Sequence, residues 1–592
     1  MSRRSAISFT LLLTFLLSGA QAAFAQADTT DPVPRLMANL KSDDVRASAS
    51  AARSLGVVFA PGRKPHPARE EVVAALIVKL DSKLGGAVRR DSAWALGRIE
   101  AKEALDGLKV SLKDEDVEVA IASGEAVTRI LPVDEARAYL KEQSVDATES
   151  LTAAVYTAMA RISKAEDAEF LLAGLPSENW RTEQAAVEGL ERSTRAGARL
   201  TPEDYTKIAG VLGNEIRNAS GAAVHFFTHI RNEDSMAAAL AAADAKGDGS
   251  KEDTTWRNRS NALSVIFHWG WPTSEPALPV VIRQLGDPTA NVTNAARQIL
   301  NQLKTDKYLS QNDLYPLMLT ELEKAEDLGL RGGIMREWGN HVDQQFASRI
   351  AVVASSTLTL AIKEKDAWSA RAYSIALLGE SHYTGSMEEI AGCVSDDVPN
   401  VRNAAGRSLE QLAPLCTNEE RAAVPPILQP LLDKPVDWRK TSVAARAVAS
   451  FPSDEAITPL ISLLSHSVIN VRDASSHSLA TIAASGNDDL RSKIEPLLHA
   501  EVSRSKGSWQ YGARVLGALK NAAAVPLLTT ILTDGDWRSQ QAAALAVAQI
   551  ADEKKIEDDA LNKALVEAAQ SEVVQVQDAA NQALRAVSKP KS

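Results

Sequence analysis

The sequence predicts an all-α fold, a superhelical solenoid of about sixteen antiparallel helix pairs. Three observations predict it. A phrase of proline among apolar residues recurs. A Val-Arg or Trp-Arg pair follows it after a short polar turn. The composition is 45% hydrophobic but only 5% aromatic. Chains rich in alanine and poor in aromatics favour closely packed helices over sheets.

The proline phrases predict the first helix of each pair, helix A. They are Val424-Pro425-Pro426-Ile427-Leu428, Ile457-Thr458-Pro459-Leu460-Ile461, Ile494-Glu495-Pro496-Leu497-Leu498 and Ala524-Val525-Pro526-Leu527-Leu528. Proline has no N–H to lose in a first turn, so each phrase reads as a helix start.

The second marker predicts helix B. It stands at Trp438-Arg439, Val471-Arg472, Trp509-Gln510 and Trp537-Arg538, and earlier at Trp368 and Val401-Arg402. From Trp368 to Trp537 the mean step is about 34 residues. Small residues and then a large apolar one follow each marker, as in Ala404, Ala405, Leu409 and Leu412, or Ala474, Ser475, Leu479 and Ile482. These positions share one helical face. Upstream copies stand at Val45-Arg46, Val88-Arg89, Val117, Trp180-Arg181, Ile216-Arg217, Trp256-Arg257, Val292 and Leu330-Arg331. A less regular copy covers Ala136 to Ile162, and another closes the chain from Leu561 through Val576 to Leu584. The pattern is faintest over 131–170 and 300–350. One helix pair cannot bury its apolar stripe alone, so stacked pairs share a continuous core. The predicted array runs over 28–592, with a loop insertion at 241–255.

Residues 1–27 read as a cleavable secretory signal. Arg3 and Arg4 precede the short apolar run Ile7 to Leu17. Three small-residue cleavage options follow: Ala20-Gln21-Ala22, Ala23-Phe24-Ala25 and Ala25-Gln26-Ala27. No cysteine lies nearby to carry a lipid anchor, and no later stretch is apolar enough to span a bilayer. The expected location is periplasmic or secreted. Net charge is formally −11, and removing 1–27, with two arginines and no acid, takes it to −13. That opposes nucleic-acid binding, which needs a basic stripe. The two cysteines, Cys393 and Cys416, are expected as unpaired thiols toward opposite ends of one repeat.

The phrase Pro-Leu-Leu, Asp, Val-Arg, Ala-Ala, Leu resembles the HEAT repeat in its short bacterial, phycobilisome-lyase-like form. Val401-Arg402-Asn403-Ala404-Ala405 and Val471-Arg472-Asp473-Ala474 carry it best. The resemblance implies a right-handed solenoid, helix A convex and helix B concave. It also implies an Asp–Arg ladder between repeats: Asp396 or Asp397 with Arg402, Asp437 with Arg439, Asp536 with Arg538. The residues themselves make each Asp a helix-B cap and each Arg a carboxylate partner. Trp180, Trp256, Trp368, Trp438, Trp509 and Trp537 replace the marker valine and are expected as wedges between repeats. Trp269 and Trp271, beside Pro272, fall outside the pattern and are expected as an exposed contact.

No phosphate loop, nucleophile elbow or His-Glu-x-x-His motif occurs. None of the nine histidines precedes a glutamate, so the iron ligands of deoxyhypusine hydroxylase, an enzyme on this repeat, have nothing to map onto. Pigment attachment, the work of the phycobilin lyases, does not suit a secretory signal. Neither a catalytic, a cofactor nor a metal site is assigned. Two patterns approach one. His225 and His229, four apart on a helix B with His268 in the next repeat, lack a third ligand. The run Asp244-Ala245-Lys246-Gly247-Asp248-Gly249-Ser250 imitates a calcium loop but sets Lys246 where an acceptor belongs and Thr255 where a glutamate belongs. The expected function is a non-enzymatic protein-interaction scaffold, steered by its acidic charge toward a basic partner. The alternative is a metal-dependent or lyase-like enzyme on the same repeats.

Overall fold

The computed structural model describes residues 31–247, 253–339 and 342–589. The expected signal segment lies outside them, as do Asp248, Gly249 and Ser250 of the calcium look-alike. Among the described residues there are thirty-two α-helices joined by short turns, and no strand. They form sixteen consecutive pairs, the number that the repeat predicts. Among the described residues no helix is long and apolar enough to cross a membrane. The chain divides into two compact units: residues through Ala245 with Thr254–Gly270, and Lys246–Asp253 with Trp271 onward.

Each unit is an α-solenoid in which the B helices pack on one another in a row. In the first unit that row runs Val45–Val58, Gly86–Ile99, Val117–Ile130, Glu149–Ile162, Trp180–Arg195, Arg217–His229 and Trp256–Trp269. In the second it is continuous from Leu328–Trp338 through Trp368–Glu380, Pro399–Leu412, Trp438–Ala447, Ile469–Ala484, Trp509–Leu519 and Trp537–Glu553 to Val574–Ser588. The predicted stripe forms the core. Val401, Ala404, Ala405, Leu409 and Leu412 are all buried, as are Val471, Ala474, Ser475, Leu479 and Ile482.

Small residues let the row close up. A Cβ added to Gly97 would fall 2.6 Å from Ala126 Cα in the next B helix, and one on Gly517 would fall 2.8 Å from Ala546 Cα. Buried hydroxyls then bond across the gap. Ser408 donates to the Ile375 carbonyl at 2.9 Å, and Ser476 to that of Tyr511 at 2.8 Å. Such bonds satisfy polar groups that water cannot reach.

The proline phrases are a correction. Pro526 does sit in the first turn of Val525–Asp534. Pro425, Pro426, Pro459 and Pro496, however, lie inside Asn418–Asp433, Asp454–Leu463 and Asp488–Arg504. At two of these helices the start is set upstream by a cap. Thr417 and Glu420 form a capping box, and Asn487 accepts from the Leu490 N–H. An interior proline forfeits one ladder hydrogen bond, a cost that packing of the apolar stripe outweighs here.

The two faint stretches pack differently. In 131–170 a buried charge cluster stands beside apolar packing by Leu140, Val155 and Met159. Arg137 donates to both oxygens of Asp167 at 2.6 and 2.7 Å, and Lys141 Nζ lies 2.6 Å from the same carboxylate. Burial pushes the Asp167 carboxyl up, but Arg137 and Lys141 outweigh it and hold it below the usual carboxylate range. In 300–350, Leu328–Trp338 packs on the turn at Gln284–Gly286. Rings fill the space: Tyr315 stacks on buried Trp338 with centroids 4.5 Å apart, and Phe346 meets both edge-on.

Candidate functional site on the face of the B row

Burying one stripe of each B helix leaves the opposite stripe in solvent. On Pro399–Leu412 that stripe is Asn403, Arg407 and Glu410. The stripes of three successive helices enclose a shallow groove of about 530 Å³, lined also by Ser442, Arg446, Asn470 and Asp473. A smaller depression of about 220 Å³ lies between Trp509–Leu519 and Trp537–Glu553, lined by Gln510, Arg514, Arg538, Gln541 and Gln549. The groove mixes charges of either sign with amides, and the smaller depression sets arginines among glutamines. Such a surface can bind a polypeptide by many modest contacts.

The tryptophans do not take the place of Val401 and Val471, which are third in their helices and fully buried. Trp180, Trp256, Trp438 and Trp537 take that of Val45 and Val117, which also stand first in their helices. A small buried residue, Thr182, Thr441 or Ser539, follows two or three positions later. Most of these indoles lie at the rim. Trp368 is 36% exposed and Trp537 37%, and of the six only Trp509 is buried. The next arginine lies over the indole, 4.5 Å away for Trp180–Arg181 and 4.3 Å for Trp537–Arg538. Trp269 is likewise corrected: it is buried and donates to the Phe227 carbonyl at 2.9 Å. Trp271 is half-buried and stacks on Tyr308.

The Asp–Arg ladder runs between repeats, not within one turn. Arg89 grips Asp114 of the following turn at 2.7 and 3.0 Å, and Arg371 reaches Asp396 at 2.8 Å. Arg402 donates instead to the main-chain oxygens of Asp396 and Asp397. Asp437 and Asp536 cap their helices as expected, through the N–H groups of Arg439 and Ser539, while Arg439 and Arg538 cover their tryptophans. A cap needs its carboxylate turned toward the helix end, which directs it away from the guanidinium.

Cys393 is buried and Cys416 half-buried, and both are free thiols. Burial pushes the Cys393 thiol up to about 12 and raises that of Cys416. The expected insertion is shorter than its bounds, because helix Glu233–Asp244 continues into it. His225 and His229 share the outer face of Arg217–His229, and Glu191 from the preceding B helix joins them. His268 stands apart and bonds the Ser264 carbonyl. Glu191 precedes His225 by one repeat length, a spacing that would have found it in the sequence.

The model of the PBS lyase HEAT-like repeat matches residues 88–114. No curated protein matches the chain. Among solved structures, Kap95p bound to RanGDP resembles it over 94% of this chain and 76% of that one, at 13% identity and TM-score 0.35. The complex of CpcE and CpcF of the phycocyanin lyase from Nostoc sp. PCC7120 covers 43% of this chain and 95% of its own, at 21% identity and TM-score 0.25. A designed armadillo repeat protein in complex with the peptide (KR)4 covers 34% and 100%, at 19% identity and TM-score 0.25. Scores this low carry no argument about partners or activity. Residues 88–114 are a HEAT-like repeat, set in a chain whose described residues are stacked helix pairs.

Proposed function

We propose that the chain is a non-enzymatic interaction scaffold working outside the cytoplasm, with a protein partner seated on the exposed face of the B row. One observation carries this reading: the groove of the second unit crosses three successive B helices and is lined by Arg407, Arg446, Glu410 and Asp473. Its walls come from repeating positions, so contacts accumulate with each repeat that a partner crosses. The Trp–Arg stacks at the helix starts add residue types over-represented in binding hot spots. The extracytoplasmic location rests on the sequence of 1–27.

The test is affinity capture from envelope extract with the exported chain, beside an Arg407→Glu/Arg446→Glu variant. The same protein should be retained by the wild type in repeated captures and lost from the variant. Equal retention by both would remove the groove from the function. Export is checked by N-terminal sequencing of the exported protein, which should begin after Ala22, Ala25 or Ala27.

A further inference from the structure

The geometry points to a binding site for a divalent transition-metal ion of the zinc class, formed by Glu191, His225 and His229 on the exposed face of the first unit's B row. The inference does not depend on the scaffold reading.

The site follows from helix register. Phe226 and Phe227 are fully buried and fix the rotation of Arg217–His229. Residues one turn apart, His225 and His229, are thereby set side by side in solvent, with ring centroids 4.1 Å apart. His229 Nδ1 lies 2.8 Å from the His225 carbonyl, which can only accept. That nitrogen therefore carries the proton and leaves Nε2 with its lone pair. The third group comes from the preceding repeat. The Glu191 side chain is 10% exposed, and its Oε2 lies 2.7 Å from His225 Nδ1. Its Oε1 is buried and ion-paired with Arg195 Nη2 at 2.5 Å, so a bound cation would compete with that guanidinium for the oxygen.

One ligand atom from each of the three residues lies within 4.8 Å of the other two. Zinc holds nitrogen and oxygen at about 2.0–2.2 Å, so tetrahedral ligands sit about 3.3 Å from one another. The closing movement falls on the two exposed imidazoles. Two imidazoles and one carboxylate suit zinc, copper and nickel. Calcium asks for six to eight oxygens, and Glu191 brings two. Three protein ligands leave at least one position open to water or to a side chain of another molecule. A bound ion would join two consecutive B helices already linked by the Glu191–His225 contact.

Chelator-stripped full-length chain is titrated with ZnCl2 by calorimetry. We expect one equivalent to bind, with affinity falling about ten-fold or more in His229→Ala, His225→Ala and Glu191→Gln. Arg195→Gln, which frees Glu191 Oε1, should tighten binding several-fold. His229 is exposed, so its variant keeps the fold, as circular dichroism will verify. No binding by the wild type, or undiminished affinity in folded His229→Ala, overturns the site. Loosened binding in Arg195→Gln would remove Glu191 from the ligand set.

Discussion

Between Gly86–Ile99 and Val117–Ile130 the contact is glycine on alanine, whereas Leu328–Trp338 combines glycine contacts along the row with stacked rings against its flanking A helices. Both regions stack helix pairs and both exclude water. In the first, Gly97 has no side chain and the next backbone comes up against it. In the second, Gly333 meets the Leu285 carbonyl and Gly332 meets Ala370, while Tyr315, Trp338 and Phe346 fill the space toward the A helices. The difference teaches that small residues set the row contacts in both regions, while large ones set how the A helices join them. It also explains why the phrase fades over 300–350. Large side chains there interrupt the run of small residues that makes the phrase recognisable.

The comparison can be broken at either end. Trp338→Ala should cost about 3–5 kcal/mol by urea denaturation, because a fully buried indole leaves a cavity when truncated. A loss under about 1 kcal/mol would mean that the stack is not the support of that region. The cluster at 131–170 sharpens the picture with a third solution, charge on charge. Asp167→Ala should cost about 1–3 kcal/mol, since Arg137 loses its fully buried partner but keeps Asp134 and Glu166. The Asp167 carboxyl is lowered in the fold, so its contribution is complete above its unfolded value of about 3.9 and fades as pH falls through the lower folded value. The wild type should therefore lose stability on acidification below about pH 4 more steeply than Asp167→Ala. Parallel curves would count against the cluster. Leu479→Ala, on the regular stripe, should cost about 2–5 kcal/mol.

The smallest effects divide two glycines. Gly97→Ala should destabilise by about 1–3 kcal/mol, because its new methyl meets Ala126. Gly221→Ala, with open space around it in the middle of a helix, should stabilise by about 0.5–1 kcal/mol. Thermal melts of the two variants should move in opposite directions.

Sequence periodicity alone located the buried face of helix B, because Val401, Ala405 and Leu409 obey a spacing that only one helix rotation satisfies. It misplaced the beginnings of three A helices, since proline is the loudest residue there while two of those starts are set by Thr417 and Asn487. It also put tryptophan in the slot of every marker valine, which holds for Val45 and Val117 but not for Val401 and Val471, because pairs that look alike in a string can sit two positions apart on the helix. The metal-like pair was legible as far as one helix reached. Glu191 belongs to a neighbouring helix and needed the repeat length to be applied as a ruler.

The glycine-on-alanine and serine-to-carbonyl joints have a mechanical consequence. Each B helix leans on the neighbours before and after it, so a load applied to the ends of a unit meets many similar weak links in series. Drawn out by an optical trap, either unit should pay out length in a train of small, reversible yields rather than in one abrupt rupture.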